Sequence, residues 1–250
     1  MTKPKIKIFY MIERLARAGT ELHLTKLIRQ LDRERFEPVL CCLNASKTDR
    51  SLLPAGVRSY LLNARWNLLN PQTFGIYRQL VKILRKEKPE ILHSFLFVSN
   101  IIGPFAAKKA GVRKVLVTRD RMGIEWQATA AHRWVQRLAN QRTTLILCKT
   151  EAMGREISQV EHTSWDKIRV VPNGVETERF QFRVGEMHES RTCLREMYGV
   201  PVDGPLILAV GNLKPVKGHA SLVEAATWLR EKFPRIQIAI VGDGESRADL

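Results

Sequence analysis

The run Leu206-Ile-Leu-Ala-Val-Gly-Asn-Leu-Lys-Pro-Val-Lys-Gly-His219 sets an apolar strand, a glycine and a lysine directly ahead of an amphipathic helix. A strand that passes into a helix through glycine exposes backbone N–H groups at the positive end of that helix. Lys217 adds a full charge beside them. The chemistry is anion binding. The anion expected is the diphosphate of a nucleotide, with Gly211, Asn212, Lys214 and Lys217 as its contacts. Four other groups stand at comparable places. Ala18-Gly19-Thr20-Glu21 opens a helix after the first strand, where Gly19 lets a ligand approach the backbone and Thr20 serves as a cap. Val117-Thr-Arg-Asp-Arg-Met-Gly123 follows a strand, and polar residues at the carboxyl end of a parallel strand face the ligand crevice. Arg119, Asp120 and Arg121 are therefore candidates to hold a sugar or a phosphate. Val171-Pro-Asn-Gly-Val-Glu-Thr-Glu-Arg-Phe180, with Asn173, reads in isolation as a tight turn, and Val241-Gly-Asp-Gly244, with Gly242, as a glycine turn after a strand. Each group also has a plain structural reading as a helix start, a solvated loop or a turn.

The elements that position these groups alternate regularly. Strands are expected at Lys5–Tyr10, Phe36–Leu43, Ile91–Ser94, Lys114–Thr118, Thr144–Cys148 and Ile168–Val171. Helices are expected at Glu21–Leu31, Thr73–Lys88, Val98–Ala110, Trp126–Gln141 and Thr150–Gln159. This rhythm implies a parallel, doubly wound sheet. Residues 181–205 break it with a mixed-charge run and a Gly/Pro-rich end, and read as a linker holding one short helix. A second α/β unit opens with strand Leu206–Val210, helix Ala220–Lys232 and strand Ile236–Val241. The expected domains are thus 1–180, the linker 181–205, and 206–250 as the start of a second domain. Two strands cannot bury a sheet on both faces, so that second domain is expected to be cut short and the 250-residue chain to be inactive alone.

Composition narrows the partners. The net charge of +16 is uneven: residues 1–172 hold 31 Lys and Arg against 14 Asp and Glu, and residues 173–250 hold 10 against 11. A field of +17 on one segment and −1 on the other favours an anionic partner for the first, such as a phospholipid surface or nucleic acid. Cys41, Cys42, Cys148 and Cys193 have no metal-ligand spacing and read as reduced, with Cys41 and Cys42 on opposite faces of a strand. His93 reads as structural. No secretory signal or membrane-spanning run is expected. In the helix Trp126–Arg142, residues Trp126, Ala130, Trp134 and Leu138 form a stripe expected to cover the sheet, although a basic amphipathic helix can also lie on a membrane.

Taken together and in order, Gly19-x-Glu21, the Asn173-Gly-Val block, Gly211-Asn-Leu-Lys-Pro-Val-Lys-Gly-His219 and Val241-Gly-Asp-Gly244 resemble the retaining glycosyltransferases of the GT4 family, over essentially all 250 residues. The resemblance implies the α/β GT-B fold: two Rossmann-like domains, acceptor mainly on the first and nucleotide-sugar donor mainly on the second. It implies transfer of a sugar, with retention, from a UDP- or GDP-type donor to a lipid-linked or polysaccharide acceptor at the cytoplasmic membrane face. It implies no metal and no cofactor, because basic side chains and helix ends meet the leaving diphosphate. By the resemblance Gly19, Asn173, Gly211, Asn212, Lys217 and Gly242 serve the donor; Arg119 and Asp120, from their place at the end of a parallel strand, are the residues expected to carry the chemistry, and the role of the family's histidine is not transferred to Arg119. Three departures stand out. Asn212 replaces the arginine usual after the glycine, Arg119 stands where a histidine is often found, and the family's Glu-x7-Glu motif would fall beyond Leu250. Glu13/Glu21 and Glu178/Glu186 have that spacing by chance. A sugar-nucleotide epimerase of the same architecture remains an alternative. A nucleic-acid-binding protein is another, but the sequence carries no helix-turn-helix, RRM or zinc-finger pattern.

Overall fold

The computed structural model describes residues 4–63, 71–120, 130–181 and 186–250. Its chain forms two compact units, Met1–Gly174 and Val175–Leu250.

The first unit is a seven-stranded parallel sheet. Its strands are β1 (Ile6–Ile12), β2 (Phe36–Cys42), β3 (Arg58–Leu61), β4 (Ile91–Phe95), β5 (Lys114–Arg119), β6 (Leu145–Cys148) and β7 (Ile168–Val170). Their order is β3-β2-β1-β4-β5-β6-β7, so the winding reverses between β1 and β4. The carboxyl ends of strands at such a reversal are where open α/β sheets take ligands. The helices are α1 (Gly19–Gln30), α2 (Pro71–Glu87), α3 (Phe97–Ala110), α4 (Ala130–Gln141) and α5 (Glu151–Val160).

Strand alternation divides the core. Phe9, Met11, Val39 and Cys41 pack with Leu80 and Leu84 of α2 and Ile102 and Ala106 of α3. Ile8, Tyr10, Ile12, Leu40 and Cys42 pack with Leu24 and Ile28 of α1. Cys41 and Cys42 thus serve opposite faces, and Cys193 alone of the four free cysteines is exposed. Helix α3 lies close on the sheet, because a Cβ on Gly103 would meet Met11 Cε at 2.9 Å. It ends at Gly111, whose φ of +85° lets its N–H reach back to the carbonyls of Ala107 and Lys108.

Two features depart from the sequence expectations. Strand β3 was not anticipated; it is a short edge strand whose Arg58 and Tyr60 both hydrogen-bond Glu87 at the end of α2. The apolar stripe of α4 does not cover the sheet. Trp134 is 62% exposed, whereas Gln136, Ala139 and Asn140 are buried. The reason lies beneath the helix: Arg119 of β5 requires polar partners there. Trp126, Arg121, Met122 and Gly123 lie outside the described residues.

The second unit holds α6 (Glu186–Met197), β8 (Leu206–Val210), α7 (His219–Lys232) and β9 (Gln237–Val241), with β8 and β9 parallel. Buried Arg195 of α6 donates to the carbonyls of Pro201, Val202 and Gly204, which orders the approach to β8. Leu208, Val210, Trp228 and Val241 are exposed.

Candidate functional site

At the carboxyl edge of the first sheet, Glu13 follows β1, and its Oε1 accepts from the N–H of Val98 at 2.7 Å, at the start of α3. Burial raises the Glu13 carboxyl above its usual range, against the lowering effects of the Val98 N–H and Arg14. Leu96 turns the chain from β4 into α3 at φ +67°, a region disfavoured for a residue with a side chain. Asn100 fixes the same edge: it accepts from Ser94 Oγ and donates to the carbonyl of Thr118.

Arg119 and Asp120 part company here. The Arg119 guanidinium points into the protein, 3.0 Å from Glu161 Oε2, and also donates to Gln136 and Asn140. Both members of the ion pair are buried. Arg119 is therefore committed to a network that ties β5 to α4 and to the end of α5. This corrects the expectation that it faces a ligand. Asp120 lies on the other side of the strand. Its side chain is 3% exposed and sits 2.9 Å from the Lys149 ammonium. Neither carboxylate oxygen has a hydrogen-bond partner among the described residues, so the lysine contact is Coulombic. His23 of α1 feels this pair: burial lowers its pKa, Asp120 opposes that and Lys149 adds to it. Behind them, buried His93 shares a 2.7 Å hydrogen bond with Thr118 Oγ1. A desolvated carboxylate with vacant acceptor positions, flanked by an ammonium, is suited to polyol hydroxyls and to a nearby anionic group. Lys149 and His23 escaped the sequence analysis because they come from elements distant in the chain.

Gly19 is exposed at the start of α1, beside an N-cap, Ala18, that offers no side-chain hydrogen bond. No atom lies within 4 Å of where its Cβ would be, so space remains over the backbone. Asn173 is exposed on the irregular stretch at the end of the first unit.

In the second unit the turn after β8 is held by the turn after β9. Gly211 N–H donates to Val241 O and Leu213 N–H to Asp243 O, each at 3.0 Å. A Cβ on Gly242 would stand 1.9 Å from Gly211 O, and one on Gly244 would stand 2.4 Å from Leu213 O. These glycines are thus accounted for by close backbone packing. Asn212 and Lys217 are exposed. Gly218, at φ +69°, ends the 3-10 turn Pro215–Lys217 and stands as N-cap of α7 without a side chain to satisfy the helix. His219, the first residue of α7, belongs to the Lys-Gly-His block but had no role of its own in the sequence expectations. It is 7% exposed and its Nε2 has no partner among the described residues. Its place directly after a Lys-Gly helix start was the available signal.

A doubly wound parallel sheet with a polar carboxyl edge, followed by a second unit in which parallel strands β8 and β9 are joined through a helix without a side-chain cap, is the arrangement of the GT-B fold found in glycosyltransferases. Residues 17–179 match the profile of Glycosyltransferase Family 4, and residues 190–250 that of Glycosyl transferases group 1; the chain belongs to Glycosyltransferase Family 4. It is 28% identical over 262 residues to the Escherichia coli UDP-Gal:alpha-D-GlcNAc-diphosphoundecaprenol alpha-1,3-galactosyltransferase, covering 100% of this chain and 65% of that protein. It is 32% identical over 102 residues to a D-inositol 3-phosphate glycosyltransferase of Xylanimonas cellulosilytica, covering 41% of this chain and 24% of that one. The crystal structure of Anabaena HepE in complex with UDP superposes with a TM-score of 0.76 at 16% identity, over 96% of this chain and 62% of that chain. The chain thus spans just under two thirds of the length of the galactosyltransferase and of HepE.

Proposed function

We propose that the protein transfers a sugar, with retention, from a UDP- or GDP-type nucleotide sugar to a lipid-linked or saccharide acceptor. The observation that carries this reading is the β8–α7 turn. It presents a 14-residue helix whose first turn is uncapped, with Lys217 one residue before its N-cap. Such an end binds a diphosphate through backbone N–H groups and the helix dipole. The same cation and dipole stabilise the charge that develops on the leaving diphosphate, which is how the transfer proceeds without a metal.

The acceptor falls to the first unit. Asp120, desolvated and lacking hydrogen-bond partners among the described residues, accepts from acceptor hydroxyls. Lys149 draws in a phosphate or diphosphate carried by the acceptor, and the imidazole of His23 stands by as a neutral hydrogen-bonding group. Two relatives support this by name, one acting on a diphosphoundecaprenol-linked sugar and the other on an inositol phosphate. An acceptor in a membrane agrees with the +17 charge of the first unit and with exposed Trp134. The protein then works at the cytoplasmic face of an anionic membrane, with no specific nucleic-acid partner.

The test is nucleotide-diphosphate affinity in the full-length protein. Lys217→Ala removes a charge-assisted phosphate contact of about 1.5–3 kcal/mol and is expected to weaken binding about 10- to 100-fold. Asn212→Arg is expected to leave binding unchanged or tighten it. Unaltered affinity for Lys217→Ala would put the diphosphate elsewhere.

A further inference from the structure

One group of the second unit has no use in the mechanism so far. His219 is a buried imidazole whose Nε2 lacks a hydrogen-bond partner among the described residues. Buried polar atoms are ordinarily paired, so an orphan nitrogen needs an explanation. Its position supplies one. Nε2 lies 3.8 Å from the point where a Cβ on Gly211 would sit, at the end of β8. The same residue begins α7. The N–H of Leu222 donates to the carbonyl of Gly218, the N-cap, so the N–H groups of His219, Ala220 and Ser221 precede the helical ladder. The orphan ring nitrogen and the uncapped helix end therefore meet beside Gly211.

We infer that His219 is a further binding residue for the donor diphosphate, donating from Nε2 to a phosphate oxygen held against the Gly211 turn. This rests on the reading of the second unit as the donor-binding unit. Nε2 carries a hydrogen in one neutral tautomer and in the imidazolium, so donation needs no particular charge state. The contact also accounts for Asn212. An asparagine there supplies no cation to the diphosphate, and a donor from the first turn of α7 makes up part of the loss.

The test compares diphosphates with bare nucleosides by calorimetry on the full-length protein, using UDP and GDP against uridine and guanosine. His219→Leu keeps the bulk and removes the donor. It is expected to weaken the preferred diphosphate about tenfold or more while leaving its nucleoside unchanged. His219→Gln, which restores an N–H donor, is expected to recover part of the loss. Equal weakening of diphosphate and nucleoside would assign His219 to packing and overturn the inference, as would wild-type affinity in His219→Leu. If Lys217→Ala weakens UDP or GDP and His219→Leu does not, the inference falls and the donor site stands. If the wild-type protein binds neither diphosphate, both fall.

Discussion

Arg119 and Asp120 are neighbours in the chain and opposites in the fold, because successive side chains of a strand point to opposite faces. Arg119 is paid for by burial with Glu161, and that pairing fixes what happens when it is broken. Glu161→Ala would strand a buried guanidinium, and is expected to lower stability by about 3–5 kcal/mol. Urea denaturation measures it; a loss below about 1 kcal/mol would show that Arg119 finds its anion elsewhere. His93 carries a second residue-scale consequence. Burial among Tyr10, Phe95 and Thr118 pushes its pKa down to about 3, far below an unfolded value near 6.5. Between those values the unfolded chain takes up a proton that the native imidazole refuses, so stability rises with pH. The His93 contribution is fully present above about pH 6.5 and is lost as pH falls toward about 3, at about 1.4 kcal/mol per pH unit. His23, whose pKa is also lowered, acts with the same sign. His93→Phe is expected to be less stable at pH 7, where Thr118 loses its partner, yet to show a flatter decline in urea midpoint from pH 7 to pH 5. An unchanged slope would mean that another group controls it.

At the scale of elements, packing sets the tolerances. A side chain on Gly103 has nowhere to go between α3 and the side chains of Met11 and Leu92. Gly103→Val is expected to cost about 1–3 kcal/mol by overpacking, read as a lowered thermal midpoint. A midpoint equal to the wild type would show that α3 can lift from the sheet freely. Elements with a local signature were legible in the sequence. Strand β8 begins and ends where its apolar run does, and Gly111 closes α3 at the glycine that marks its end. Strand β3 was not legible, because Arg58-Ser-Tyr-Leu61 has no apolar run and is placed by Glu87, 29 residues from Arg58. Helix α4 misled for a related reason. Its apolar stripe is real, but the sheet offers it an arginine, so Gln136 and Asn140 turn inward and Trp134 outward. The candidate site follows the same rule. Gly211, Lys217 and Asp120 stand out as motif residues, whereas Lys149 and His23 join Asp120 only through the winding of the first sheet.

Across the whole molecule, charge is segregated by unit. The first unit carries the entire excess of +17 and the second is close to neutral at −1, a contrast that the overall pI of 10.1 conceals. Each Lys or Arg near an anionic bilayer contributes about 1 kcal/mol, and the attraction is screened as the Debye length falls from about 10 Å at 0.1 M salt to about 3 Å at 1 M. The protein is expected to co-sediment with phosphatidylglycerol vesicles at low salt and to be released at high salt. Trp134→Ala is expected to weaken that binding if α4 inserts its exposed ring. Equal binding to neutral phosphatidylcholine vesicles would remove the membrane from the proposed function and favour a soluble acceptor. Among the described residues no helix is long and apolar enough to cross a bilayer.

The interlocked turns of the second unit bear on inheritance. Gly242 and Gly244 are held to glycine by the backbone of Gly211 and Leu213, with no ligand involved. Lys217 and His219 answer to no such constraint. A descendant that lost its donor could drift at both of these positions within a fold that still demanded the glycine pair. In such a lineage Val-Gly-Asp-Gly would persist as a fossil of architecture, and the surviving trace of chemistry would have to be sought at the lysine and the histidine.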